Sequence, residues 1–361
     1  NKSARQALFI ITAISVCIVT LGLIFRAPLL SFIFGKVDAD VMDNSMVYFF
    51  YTVLSYPFIA LYDAGASIFR AQENTRGPMV ISIISNVMNI GGNAVLIWVF
   101  HMGVAGAAIS TLVSRIFCAV VVLYQLRKDR QPIAVRDYLK IRPDGNMIKR
   151  ILALGVPSGV ENSMFQLGKL AIQSTVSTLG TTAIAAQAMT NIMEMLNGTA
   201  VIGVGIGLMT VVGQSLGAGR KDEAVYYMKK LMIFSEVFLI ACCAIVYALA
   251  KPITMIGGME PESAKMCLNM IFWITIVKPL VWMPAFIPAY GMRAAGDVKF
   301  SMITSCTTMW VFRFCLCVYL IRVCGMGPMA VWIGMFTDWT VRGIVFSLRF
   351  KSGKWMEHRV V

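Results

Sequence analysis

Apolar residues run along this chain in long blocks, and the charged residues fall between the blocks. Ten stretches stand out: roughly 7–25, 46–69, 78–100, 104–126, 151–179, 183–213, 227–250, 267–292, 300–322 and 327–348. At about 1.5 Å per residue, a helix of about 20 residues crosses ~30 Å of hydrocarbon. None of the stretches alternates with the period of two that a barrel strand needs, and an open sheet cannot cross lipid. The pattern therefore predicts an all-α membrane protein with ten visible transmembrane helices.

The connections between the spans alternate in charge. Of the 32 basic residues, twenty-two fall in one set of connections and the termini, and five (Arg26, Lys36, Lys251, Lys265, Arg322) in the other. Five more, Arg115, Lys169, Lys278, Arg313 and Arg342, lie inside spans. The positive-inside rule then predicts both termini in the cytoplasm, and the expected location is the plasma (cell inner) membrane, as a multi-pass protein. Residues 127–150 form the one long polar stretch and read as a cytoplasmic linker. They divide an N-lobe of four spans (1–126) from a C-lobe of six (151–350), with a cytoplasmic tail at 351–361.

Composition agrees with this picture. Hydrophobic residues make up 58% of the chain and charged residues 14%, where a soluble domain carries about 25% charged. The net charge of +14 does not mark a nucleic-acid binder, because the basic residues sit at the ends of apolar spans. Their natural partner is the anionic face of a lipid bilayer. The nine cysteines read as thiols rather than as disulfides or metal ligands.

The chain also repeats itself. Arg70-Ala71-Gln72-Glu73-Asn74 echoes Arg293-Ala294-Ala295-Gly296-Asp297, each after a span with an interior proline, Pro57 or Pro279. Met102-Gly103 echoes Met326-Gly327. Residues 4–126 thus pair with 224–350 in the same orientation, as a parallel repeat. Residues 151–219 have no counterpart. A complete repeat would add about 70 residues and two helices before Asn1, for two six-helix lobes and twelve helices.

Polar residues inside the spans are the candidate functional groups, because a charge at the bilayer centre costs from about 3 to above 10 kcal/mol. At about 100° per residue, Ser158, Asn162, Gln166, Lys169 and Gln173 share an arc of about 80°, with Glu161 flanking it. On the next span Gln187, Asn191 and Glu194 share a second stripe. Together they predict a wet cavity for substrate or ion coupling, with Lys169 and Glu194 as its charged members. The amides could instead be interhelical glue. Asp338 and Arg342, at i,i+4, could pair with each other or with Arg313. Asp63 reads as a gating or lobe-face residue, and Pro57 and Pro279 as bends.

Four stretches resemble the multidrug and toxic compound extrusion (MATE) family of cation-coupled exporters. They are Val212 to Gly219, Arg293 to Asp297, Met102 to Ala108, and Trp310-Val311-Phe312-Arg313. The resemblance implies two six-helix lobes and alternating access, coupled through carboxylates inside a lobe. The chain departs from the family's ion sites. In the N-lobe, Asn89 matches an asparagine, but Asn93 stands where an aspartate is expected. In the C-lobe, Phe165 and Trp282 occupy the places of a glutamate and an aspartate, and Glu161 lies one turn nearer Pro157.

The resemblance implies a Na⁺- or H⁺-coupled secondary antiporter. It would export small amphipathic, cationic organic compounds or drugs, as a monomer, without a cofactor beyond the transported cation. A lipid-linked oligosaccharide flippase of the same superfamily is the alternative; it would favour several cavity arginines for pyrophosphate, and the sequence offers few. An integral membrane enzyme would need a catalytic cluster at a membrane face, and the sequence offers none.

Overall fold

A computed structural model describes residues 2–34, 39–128, 133, 135 and 143–357. Lys36, most of the basic linker (Arg130, Arg136, Lys140, Arg142) and the tail from His358 lie outside the described residues. Among the described residues all regular structure is helical. Eight helical segments are long and apolar enough to cross a membrane: Lys2–Ile24, Ala39–Ala71, Arg76–Val99, Gly103–Leu126, Thr181–Gly217, Lys221–Ile256, Pro261–Ala294 and Val298–Arg322. The two other stretches of the hydrophobic pattern are helical as well, Gly145–Val176 and Met329–Lys351. They miss the apolar criterion, and they carry Glu161, Lys169, Asp338 and Arg342, the charges that make them interesting.

The chain divides into two compact units, residues 1–152 and 153–361. The first holds α1 (Lys2–Ile24), α2 (Arg26–Phe34), α3 (Ala39–Leu54), α4 (Tyr56–Ala71), α5 (Arg76–Ala94, continued by a π turn at Val95–Val99) and α6 (Gly103–Leu126). Its core gathers Leu8, Phe69, Val122 and Leu126 from α1, α4 and α6. The helix breaks at Ser55, between α3 and α4, with Pro57 in the first turn of α4. Proline has no N–H to return to the carbonyl four residues back, so the break falls where the ladder is already open. Arg115 of α6 reaches the break and donates to Ser55 Oγ at 2.5 Å.

α7 (Gly145–Val176) starts in the first unit, where Asp144 caps it. The Asp144 carboxylate accepts the N–H groups of Asn146 and Met147 at 3.1 and 3.2 Å and pairs with Lys2 at 2.5 Å. The Lys2 contact, helped by these amides, holds its carboxyl below the usual carboxylate range. Its stabilising contribution is therefore present above the ordinary carboxylate pKa and lost as pH falls through the lowered one.

The second unit contains the rest of α7, then α8 (Thr181–Gly217), α9 (Lys221–Ile256) and α10 (Pro261–Ala294). α11 (Val298–Thr307) runs through a π segment, Thr308–Cys315, into α12 (Leu316–Arg322), and α13 (Met329–Lys351) follows. α10 is apolar on nearly every side and packs on α8, α9 and α13, as a helix hydrophobic all round should. The π segment lies close against α13. A β-carbon at Gly334 would sit 2.8 Å from the Arg313 carbonyl oxygen, so only glycine fits there.

The motif ends share a local geometry. After α4, Glu73 has φ +63° and the Asn74 N–H bonds the Phe69 carbonyl; after α10, Gly296 has φ +88° and the Asp297 N–H bonds the Met292 carbonyl. His101 (φ +53°) precedes a Met102 N–H to Leu96 carbonyl bond, and Gly325 (φ +65°) precedes one from Met326 to Leu320. Left-handed residues that let a later N–H reach back in this way are the usual end of a helix.

Candidate functional site

The second unit encloses a cavity of about 290 Å³. α7 contributes Glu161, Asn162, Phe165 and Lys169, and α8 contributes Glu194, Met195, Gly198 and Ile202. α10 adds Trp282, Phe286, Tyr290 and Arg293, the π segment adds Arg313, and α13 adds Trp339 and Arg342. The spacing explains the α7 face, since 161, 165 and 169 lie one above another at i, i+4 and i+8. Compared with the stripe centred on Asn162, α7 is turned towards Glu161. Gln166 and Gln173 consequently stand exposed, off the cavity wall.

The carboxylates are already engaged. Glu194 Oε1 pairs with Lys278 Nζ at 2.6 Å, so the carboxylate expected to face Lys169 is held from α10 instead. Lys278 is 0% exposed and also donates to the Glu194 carbonyl at 3.0 Å and to Asn197 Oδ1. Three acceptors meet the three protons of an ammonium, with the faces of Trp282 and Trp339 5.3 and 6.0 Å away. Glu161 pairs with Arg293 at 2.6 Å. The sequence reading does not assign Lys278 or Arg293 to the cavity. Lys278 is a charge in mid-span, which was signal enough, whereas Arg293 looked like an ordinary positive-inside residue.

Asp338, fully buried, binds Arg342 through both oxygens at 2.9 and 3.2 Å, and Arg313 Nη1 lies 4.0 Å away. Both pairings that the spacing left open are thus made by one carboxylate. Arg342 further donates to Thr308 Oγ1 and the Ser305 carbonyl. Arg313 Nε is buried without a hydrogen-bond partner. Among the described residues Lys169 makes no ion pair; its Nζ sits 5.2 Å from the Phe165 ring, which Arg313 and Arg342 also approach at 5.3 and 5.7 Å.

The remaining candidates lie elsewhere. Gln187 is buried and serves packing: Trp332 Nε1 donates to its Oε1 at 3.1 Å and its Nε2 donates to Asn191 at 3.3 Å. Neither amide lines the cavity. In the first unit Asn93 donates to Asn89, and Asn89 donates to Thr111 Oγ1 at 3.3 Å, which ties α5 to α6. Asp63 is exposed on α4. Pro279 lies within α10, which continues through it and through Pro284 and Pro288.

The family model MatE matches residues 1–95 and 157–319. The chain belongs to the MatE family. MatE proteins are membrane transporters and not enzymes. One similar protein is the probable multidrug resistance protein NorM of Thermotoga maritima, 23% identical over 333 residues, which cover 91% of this chain and 71% of the relative. Another is the uncharacterized transporter YisQ of Bacillus subtilis, 25% identical over 343 residues, 92% of this chain and 73% of the relative. The MatE fold is also that of a multidrug resistance MATE family transporter solved in an outward-facing conformation. That structure has a TM-score of 0.86 at 17% identity, covering 98% of this chain and 79% of the solved one.

Proposed function

We propose that this MatE chain is a secondary antiporter that exports small amphipathic organic compounds by alternating access, driven by Na⁺ or H⁺. The carrying observation is the cavity of the second unit, whose wall combines aromatic surface with carboxylates already bound to protein cations. A carboxylate released from Lys278 or Arg293 can take a proton or Na⁺ in their place, and the two occupancies favour different conformations. The multidrug resistance for which relatives such as NorM are named fits an aromatic wall.

The protein acts as a monomer in the plasma membrane, with both termini cytoplasmic and ten membrane helices in residues 1–350. Two six-helix lobes related by a parallel repeat are the full architecture. The equal helix-end geometry at Glu73 and Gly296, and at His101 and Gly325, supports the repeat. The charge pattern supports the orientation. Cysteines placed at Asp40 or Met259 should react with impermeant thiol reagents from outside. One at Asp137, which lies outside the described residues, should not; the reverse labelling overturns the topology.

The export reading is tested in proteoliposomes. Efflux of a fluorescent amphiphile should accelerate under an imposed Na⁺ or proton gradient, and rates indifferent to both gradients would end it. The flippase reading also has an observation in its favour: Arg293, Arg313 and Arg342 all line the cavity. Movement of a lipid-linked pyrophosphate in the same vesicles, without a gradient, is its signature.

A further inference from the structure

The cavity wall does not balance its charge. Five cations stand at or directly behind it: Lys169, Lys278, Arg293, Arg313 and Arg342. Three carboxylates answer them, Glu161, Glu194 and Asp338, and each is already bound, to Arg293, Lys278 and Arg342 respectively. Two positive charges remain over. They are Lys169, which makes no ion pair among the described residues and lies over the face of Phe165, and Arg313, 6% exposed, with a bare Nε and a 4.0 Å approach to an Asp338 that Arg342 already occupies. Both lie over the same ring, at 5.2 and 5.3 Å, so they converge on one place. A desolvated guanidinium with an unused N–H is costly unless an acceptor arrives.

We infer that the cavity takes an organic anion: a carboxylate or phosphate bound between Lys169 and Arg313. An apolar or aromatic body would lie along Trp282, Phe286 and Trp339. This deepens the reading of the cavity as the substrate site and rests on it. It differs from the cationic substrate that the family resemblance implied, for a reason visible only in three dimensions: Glu194 and Glu161 are already paired with Lys278 and Arg293. A cationic guest would meet a wall with two more cations than carboxylates. An anion completes the set and supplies the missing acceptor, and a guanidinium–carboxylate or guanidinium–phosphate contact is among the strongest polar pairs available.

Charge-matched probes test it on the purified full chain in detergent. Calorimetric titrations with 1-naphthoate, 1-naphthyl phosphate and 1-naphthylmethylammonium compare one aromatic body with three head groups. Both anions should bind at least about tenfold more tightly than the ammonium. Lys169→Gln, at an exposed position, should weaken the anions about tenfold and leave the ammonium unchanged or tighter. Arg313→Gln should do the same; if it does not fold, Lys169→Gln alone decides. An ammonium that binds as well as the anions, or anion affinity unmoved by Lys169→Gln, overturns the inference. Farnesyl pyrophosphate separates the sources: tighter binding than naphthyl phosphate assigns a lipid-linked anion, and weaker binding a soluble organic acid. No ion gradient is present in these titrations. Anion binding without gradient-driven efflux in vesicles would therefore end the export reading alone.

Discussion

Glu194→Ala is expected to destabilise the purified protein by about 3–5 kcal/mol, because it leaves the Lys278 ammonium without its carboxylate in a dry site. Lys278 has no exposed surface, whereas a fifth of the Glu194 side chain (20%) faces open space. The two single substitutions should therefore differ. Lys278→Met leaves a carboxylate that cavity water can reach and should cost less than Glu194→Ala. Glu194→Gln keeps an oxygen for the ammonium but removes its charge, and should fall between them. The pair Glu194→Gln with Lys278→Met removes both charges and should regain most of the lost stability, since a buried ion pair is seldom worth more than its apolar replacement. Transport gives a separate reading. The double variant should fold and bind substrate, yet lose most of its gradient-driven efflux, because the carboxylate that would exchange a protein cation for Na⁺ or H⁺ is gone. Thermal unfolding in detergent and efflux from proteoliposomes measure the two effects. A double variant as unstable as Glu194→Ala would show that the ion pair is not the cause. A double variant with wild-type coupling would place coupling elsewhere, and Glu161 with Arg293 is the next candidate.

How far the sequence reaches can be judged from α7 and α8. Their existence and their polar faces were plain, since Glu161, Asn162, Lys169 and Glu194 all reach the cavity. The wheel gives the spacing of those side chains but not the rotation of the helix about its axis. That rotation is set by tertiary contacts the wheel does not contain: α8 packs on α10, Gly168 of α7 faces Met309 of the π segment, and Glu161 is held by Arg293. It moved Gln166 and Gln173 off the wall and turned Gln187 towards Trp332. The partners were harder still. Glu194 and Lys278 are 84 residues apart, and nothing local in either span names the other. Arg293 sits in the helix-ending motif, where a cytoplasmic anchor is the ordinary reading, yet it turns back to Glu161. The i,i+4 pair Asp338–Arg342 was legible because a single helix supplies both members. The same limit applies to the charge balance of the cavity. A count of charges in spans shows that acids and bases are present, but only contact geometry shows which remain unmatched.

Asp338→Asn should be the most damaging single change in the protein. One fully buried carboxylate faces two guanidiniums whose side chains are 3% and 7% exposed, and removing its charge strands both. Breaking one buried pair costs about 3–5 kcal/mol, and here the second cation loses its nearest counter-charge as well, so the expected loss lies at the upper end or beyond. Little folded protein should be recovered. The π segment gives the damaged site no easy escape, because the Arg313 backbone lies against Gly334 and cannot shift inwards to carry its side chain away. Two rescues separate charge from packing. Adding Arg342→Gln to Asp338→Asn removes one stranded cation while keeping donors for Thr308 and Ser305, and should restore folding in part. Supplying an anion should do so by another route: naphthyl phosphate in the purification buffer should raise the yield and melting temperature of Asp338→Asn more than those of the wild type. Ligand bound only to the native state stabilises it by mass action, and a site with three unmatched cations binds an anion more tightly than one with two. If Asp338→Asn folds and melts like the wild type, the guanidiniums are not held by this carboxylate. If the anion helps both proteins equally, the surplus charge does not reach the ligand.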